Sequence, residues 1–246
     1  MLRPYQQKLK HETREAIRAG YHRPLIVAPT GSGKGAFATD IVHEATAKNK
    51  RVVFLVNRKS LVMDMSRRLF RLGVNHGILM GEHTQGAHLP TIVASIDTLR
   101  NRLDTIKQFD LAFADEAHLA VSEGWMRTFE AFGPIPIIGM TATPIRLDGK
   151  GLGRVFNQLI LGPTITELVE EGHLVSGRIL SCREIGNSED DEDTPGIIGN
   201  IVSTWREHAH DWPTIAFAKN VAHSEHIRDQ FVESGIAAEH IDDTMP

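Results

Sequence analysis

The stretch Leu25-Ile26-Val27-Ala28-Pro29-Thr30-Gly31-Ser32-Gly33-Lys34-Gly35 decides the fold. Its first four residues are aliphatic and read as a buried strand, and Pro29 to Gly35 form a glycine-rich turn. Phe37, Ile41 and Ala45 then recur every fourth residue, which puts an apolar stripe on one face of a helix. Triphosphate binding needs this succession. Small residues let backbone N–H groups converge on phosphate oxygens, and the helix N-terminus adds positive potential. Lys34 is placed to reach the β- and γ-phosphates. The expected nucleotide contacts here are Thr30, Gly31, Ser32, Gly33, Lys34 and Gly35. A tight turn with no ligand is the plainer alternative, and the lysine at the start of an amphipathic helix weighs against it. One position departs from the usual pattern. The residue after the lysine is ordinarily Ser or Thr, whose hydroxyl ligates Mg²⁺. Gly35 has no hydroxyl, so weaker binding of Mg²⁺ and ATP and slower turnover are expected.

Beyond this stretch, short apolar runs alternate with helical patterns. Arg51–Val56, Thr91–Ser95, Leu111–Ala114 and Ile135–Met140 are strand candidates, with Pro136 marking a strand end. Ser60 to Leu72 carries Leu61, Met65, Leu69 and Leu72 on one helical stripe. Strands alternating with helices predict an α/β fold, a parallel sheet flanked by helices, with ligands at the carboxyl ends of the strands. Thr164 to Glu171 reads as a short helix closed by Gly172. Near residue 176 the pattern pauses, which divides the chain into 1–176 and 177–246. In the second part the sequence predicts a strand over Arg178–Ile185 and a solvated acidic run over Glu189–Asp193. A helix over Ile197–His208, a strand over Thr214–Ala218 with Phe217 in the core, a helix over Val221–Ser234 and a short last strand follow.

The 246 residues exceed one doubly wound domain and fall short of two. No apolar run reaches the roughly 18 residues of a membrane span, and the N-terminus has no signal-peptide stretch. A single cysteine, Cys182, excludes an internal disulfide and points to a reducing setting, cytoplasmic or, in a eukaryote, nuclear. The 13 histidines are scattered without zinc spacing. A net charge of −4 gives no bulk basic footprint for nucleic acid, so any grip on a strand must be local.

Phe113-Ala114-Asp115-Glu116-Ala117-His118 follows a strand candidate. Adjacent carboxylates at a strand end are costly unless they hold a cation or manage protons. Asp115 suits Mg²⁺, and Glu116 suits polarising the water that attacks the γ-phosphate. With Lys34, these two form the expected catalytic set.

On these motifs the chain resembles a superfamily-two helicase of the DEAH-box kind, close to the restriction-enzyme motor and to phage and bacterial repair helicases. The resemblance implies two RecA-like domains, the first over 1–176 and the beginning of a second over 177–246. It implies ATP and Mg²⁺ as cofactors and nucleic acid as partner, DNA favoured over RNA, in a bacterial or phage-infected cell. Leu2-Arg3-Pro4-Tyr5-Gln6 is similar to the segment that reads adenine, with Gln6 as base contact and Arg3 in support. Thr141-Ala142-Thr143 is similar to the motif that couples hydrolysis to strand movement, its hydroxyls near His118. The run Pro144–Gly151 also resembles the phage and repair branch. Arg58 and Thr98 stand where such enzymes touch the nucleic-acid strand.

The arginine segment Gln-x-x-Gly-Arg-x-x-Arg of such motors is not in this sequence. Slow hydrolysis by this chain alone is therefore expected, as is a longer parent protein, with a naturally short, degenerate relative as the alternative. Two alternatives remain open on the sequence. One is a non-catalytic module that binds nucleotide and nucleic acid, and the other is an ATPase that acts on protein.

Overall fold

The computed structural model describes residues 2–105, 108–144, 149, 151–177, 201–210 and 212–242. The chain divides into two compact units, Met1–Ser176 and Gly177–Pro246.

The first unit opens with α1 (Pro4–Arg18), β1 (Pro24–Val27), α2 (Lys34–Ala47), β2 (Val52–Val56) and α3 (Lys59–Arg71). A hairpin of β3 (His76–Met80) and β4 (His83–Gln85) leads to β5 (Thr91–Ser95) and α4 (Ile96–Arg100). Then come β6 (Leu111–Ala114), α5 (Glu123–Ala131), β7 (Ile137–Thr141), β8 (Gln158–Leu161) and α6 (Ile165–Glu170).

The eight strands form one sheet in the order β4-β3-β5-β2-β6-β7-β1-β8. Every pairing is parallel except β3 with β4. The apolar runs explain the sheet. In β2 all five residues are buried, because helices cover both faces of a parallel sheet. Val53 and Leu55 point into one core with Trp125 and Phe129 of α5. Val52, Phe54 and Val56 point into the other, with Leu9 of α1, Phe37 and Val42 of α2, and Val62 and Leu69 of α3. Each such buried large side chain contributes about 1.5–3 kcal/mol.

Helix stripes shift slightly from the expected ones. The fully buried face of α2 is Phe37, Ala38 and Val42, with Ile41 and Ala45 at its margin. In α3 it is Val62, Met65 and Leu69, and Leu72 lies outside the helix and is exposed. β7 starts at Ile137, since Pro136 has no N–H to give to a ladder. For α6, Thr164 caps the N-terminus and Glu167 Oε2 accepts a hydrogen bond from the Thr164 N–H at 2.7 Å.

In the second unit the described residues form α7 (Ile201–His208) and α8 (Val221–Glu233). Trp205 meets Phe231 edge-on at 5.7 Å between them. Thr214–Ala218 corrects the sequence reading. It pairs with no strand among the described residues, and Ile215 and Phe217 are 81% and 94% exposed. A strand needs a neighbour for its ladder, and a high apolar content does not supply one. Residues Ile236–Asp242 likewise form no strand. The expectations at Arg178–Ile185, Glu189–Asp193, Ile197–Asn200 and Cys182, and most of Pro144–Gly151, lie outside the described residues. Among the described residues, no helix is long and apolar enough to cross a membrane.

Candidate functional site

The phosphate loop leaves β1 at Val27 and enters α2 at Lys34. Gly31 and Gly33 have φ of +83° and +80°, the left-handed region that glycine reaches without strain. A Cβ on Gly33 would lie 2.4 Å from Gln6 Nε2. Gln6 is 4% exposed, and α1 aims it at this loop. Its Nε2 donates to the Ser32 carbonyl at 3.1 Å and to the Gly33 carbonyl at 3.3 Å. Its Oε1 accepts from the Arg3 N–H at 2.9 Å. The Tyr5 hydroxyl also donates to the Ser32 carbonyl, at 2.6 Å, and Arg3 Nη1 donates to the Tyr5 oxygen at 3.2 Å. The expected base-reading segment therefore braces the loop, and Gln6 has both ends of its amide engaged. The Tyr5 and His173 rings lie 5.6 Å apart beside it, tilted by 51°. α1 is held to α2 by Lys10, which pairs with Asp40 and with Glu44, and by Arg14, which pairs with Glu44.

Lys34 Nζ donates to the carbonyls of Ala28 and Pro29 at 2.9 and 3.2 Å. Burial pulls its pKa below the ordinary lysine value, and the charges of Asp115 and Glu116 oppose that shift. Thr30 is exposed, whereas Ser32 is buried and its hydroxyl has no hydrogen-bond partner among the described residues. A Cβ on Gly35 would lie 3.4–3.6 Å from the Arg68 side chain, an arginine on the third turn of α3.

The acidic motif leaves β6 beside this loop. Asp115 N–H donates to the Leu55 carbonyl at 2.9 Å, and Glu116 N–H donates to Asp115 Oδ1 at 3.1 Å. Burial pushes the Asp115 carboxyl above the usual carboxylate range. The Glu116 charge adds to this, while the Glu116 N–H, Lys34 and Arg68 act against it. Glu116 has φ +50°, one of two described non-glycine residues with positive φ. Strain of this kind, of order 1–3 kcal/mol, is held by surrounding structure and gathers at functional sites.

His118 links the acidic motif to β7. Its Nδ1 lies 3.2 Å from Thr141 Oγ1 and 3.4 Å from Glu116 Oε2. Thr141 Oγ1 donates to the Thr143 carbonyl at 3.0 Å and accepts from the Thr143 N–H at 3.1 Å. The structure thus brings Glu116, His118, Thr141 and Thr143 into one chain of contacts.

Arg58 and Thr98 sit on the β2–β5 side of the sheet. Arg58 is the exposed cap residue of α3. Thr98 turns inward. Its Oγ1 accepts from the Gly81 N–H at 2.6 Å and shares a 2.8 Å hydrogen bond with Ser95. Around Thr98 lies a shallow depression that includes Asn57, Lys59, Asn101 and Arg102. Arg102 donates to the Gly81 carbonyl at 2.9 Å and fixes the β3–β4 turn. The sequence reading missed Lys59 and Arg102. Only the position of Lys59 next to Arg58 at a helix start could have pointed to one of them.

Comparison with known proteins agrees with this layout. A Lactococcus phage protein of 51.5 kDa is 28% identical over 235 residues, covering 90% of this chain and 49% of that protein. The DNA 3'-5' translocase XPB2 of Sulfurisphaera tokodaii is 28% identical over 162 residues, covering 64% of this chain and 35% of the translocase. The chain therefore spans about half or less of the length of these relatives. The type ISP restriction-modification enzyme LlaGI, solved with a DNA substrate mimic, shares the fold with a TM-score of 0.55 at 15% identity. That match covers 70% of this chain and 21% of LlaGI. The family model for the type III restriction enzyme res subunit matches residues 1–146, which hold the phosphate loop, the acidic motif and Thr141-Ala142-Thr143, and the chain belongs to that family.

Proposed function

We propose that this chain carries the ATP site of a DNA helicase or translocase, in which ATP hydrolysis drives movement along a nucleic-acid strand. The observation that carries the reading is the contact chain through His118. It joins Glu116 to Thr141 and so ties the acidic motif to the neighbouring strand end. An ATPase with no mechanical task does not need that link.

In this reading Lys34 and the N–H groups of Thr30–Gly35 hold the phosphates. Glu116 orients and deprotonates the attacking water. Asp115 offers the hard oxygen that Mg²⁺ prefers, and Gly35 offers none, so the donor set fits an ion held through Asp115 and water. Bound there, Mg²⁺ would neutralise charge on the β- and γ-phosphate oxygens. His118 and Thr141 pass a change at Glu116 to β7. Arg58, Lys59 and the depression beside Thr98 form the face for strand phosphates. Residues 177–246 are read as the beginning of a second RecA-like domain, with the rest in a longer parent protein. The XPB2 relative favours DNA as the partner.

The test is ATP hydrolysis with no nucleic acid, with single- and double-stranded DNA, and with RNA. DNA stimulation that Glu116→Gln abolishes is the expected result. Turnover indifferent to every nucleic acid would sink the motor reading. The second reading, a binding module without catalysis, draws on Gly35. Binding of ATP and DNA with no turnover, in this chain and in the longer parent, would favour it.

A further inference from the structure

Gly35 stands where a metal-binding hydroxyl is usual, and the space beside it is lined by an arginine. A Cβ built on Gly35 would lie 3.4 Å from Arg68 Nε, 3.5 Å from Cζ and 3.6 Å from Cδ. The guanidinium therefore lies in contact range of the first turn of α2, one residue beyond Lys34. Its positive charge also acts on the Asp115 carboxylate. Arg68 thus faces both elements that flank the phosphates, the loop and the acidic motif.

Its neighbour on the same helix behaves differently. Arg67 Nη1 pairs with Asp64 at 2.9 Å, one turn away on the solvent side. Among the described residues, no hydrogen bond or ion pair holds Arg68. A guanidinium has five N–H donors in a fixed fork, which matches phosphate oxygens. α3 packs on α2, which brings the Arg68 side chain to Gly35.

We propose that Arg68 is a phosphate-binding residue of the nucleotide site, and that it supplies from α3 part of the positive charge that a hydroxyl-anchored metal ion supplies in loops with Ser or Thr after the lysine. The inference rests on the reading of this loop as a nucleotide site. It makes nucleotide binding less dependent on Mg²⁺ than a Ser or Thr loop would be. The ligand chemistry is a terminal phosphate of a nucleoside triphosphate.

The experiment measures ATP and AMP affinity by calorimetry on the full chain, with Mg²⁺ and with EDTA. Lys34→Ala, Arg68→Ala, Arg68→Lys and Arg67→Ala are compared with wild type. In EDTA, Arg68→Ala is expected to lose ATP affinity by about tenfold or more, the size of a charge-assisted hydrogen bond. AMP affinity is expected to stay within about threefold, because a monophosphate does not reach that flank. Arg68→Lys is expected to recover part of the loss, and Arg67→Ala to bind as wild type does, which separates a specific contact from a general loss of charge. Arg68 is exposed, so its truncation leaves the core intact. If Arg68→Ala binds ATP in EDTA as wild type does while Lys34→Ala does not, the inference fails and the nucleotide site stands. If Lys34→Ala also binds as wild type does, the nucleotide reading itself fails.

Discussion

Replacing Gln6 with alanine separates two tasks for one side chain. A base-reading glutamine keeps an amide edge for adenine. Here the Gln6 amide makes three hydrogen bonds inside the protein, to the Ser32 and Gly33 carbonyls and from the Arg3 N–H. Net contributions of about 0.5–1.5 kcal/mol per bond would sum to about 3 kcal/mol. Both carbonyls keep a second partner, however. Ser32 retains the Tyr5 hydroxyl and Gly33 retains the Phe37 N–H at 3.1 Å. No acceptor is orphaned, so the cost falls to about 2 kcal/mol. Denaturation in urea, followed by the fluorescence of Trp125 in a Trp205→Phe, Trp212→Phe background, reports on the first unit alone. The same change loosens the loop that meets the phosphates, so ATP and GTP affinity should fall together, by about tenfold. A stability loss below about 0.5 kcal/mol would refute the bracing role. So would a selective loss of ATP with GTP unchanged, which is the signature of base reading.

Asp115→Asn should stabilise the protein at neutral pH, because the folded state raises this carboxyl pKa by burial and by the Glu116 charge. An acid with a raised folded pKa costs stability when ionised. The cost is present above the folded pKa and gone below the unfolded one. The variant's advantage in urea midpoint should therefore shrink as pH falls from 8 toward 4, and an advantage constant with pH would contradict the burial argument. Gly35→Thr restores the missing hydroxyl and should raise ATP turnover and strengthen its Mg²⁺ dependence. Steady-state rates across a magnesium titration check this, and an unchanged or lower rate would count against it. His118→Ala removes the link to Thr141, and DNA stimulation of hydrolysis should fall at least about tenfold while ATP affinity stays within about threefold. Equal loss of binding and stimulation would show that His118 serves the nucleotide rather than the coupling.

Much of the first unit was legible because its strands are apolar throughout. β2, β5 and β6 are buried on both faces, and a continuous aliphatic run has few other places to go. The hairpin was not legible, since β4 is His-Thr-Gln, fully exposed, and its pairing depends on the tight turn at Gly81. β8 carries exposed Leu159 and Leu161 around buried Ile160 and shows a strand pattern only once β1 is beside it. Thr214–Ala218 shows the reverse, a strand composition with no ladder. At the site, the motifs gave the residue types, and tertiary contacts set their directions. Nothing local says that Gln6 points into the loop or that Glu116 takes a positive φ. Arg67, Arg68 and Arg71 look alike in sequence, and only the approach to Gly35 sets Arg68 apart.

The order of the strands brings these distant motifs together. In sequence the phosphate loop comes first, the acidic motif next and Thr141 last. In the sheet, β7 lies between β6 and β1, so the last motif is the middle one. Thr141 is therefore joined on both sides. Its carbonyl accepts from the Ala28 N–H at 3.1 Å, at the mouth of the phosphate loop, and its hydroxyl meets His118 at 3.2 Å. On the proposed function, a shift of the loop with the state of the phosphates and a shift of the acidic motif with the attacking water would both reach this residue. It has no slack for either, since it is fully buried and its hydroxyl also closes a turn with Thr143. On the proposed motor function, coupling between the phosphate loop and the acidic motif accordingly passes through Thr141, which touches both.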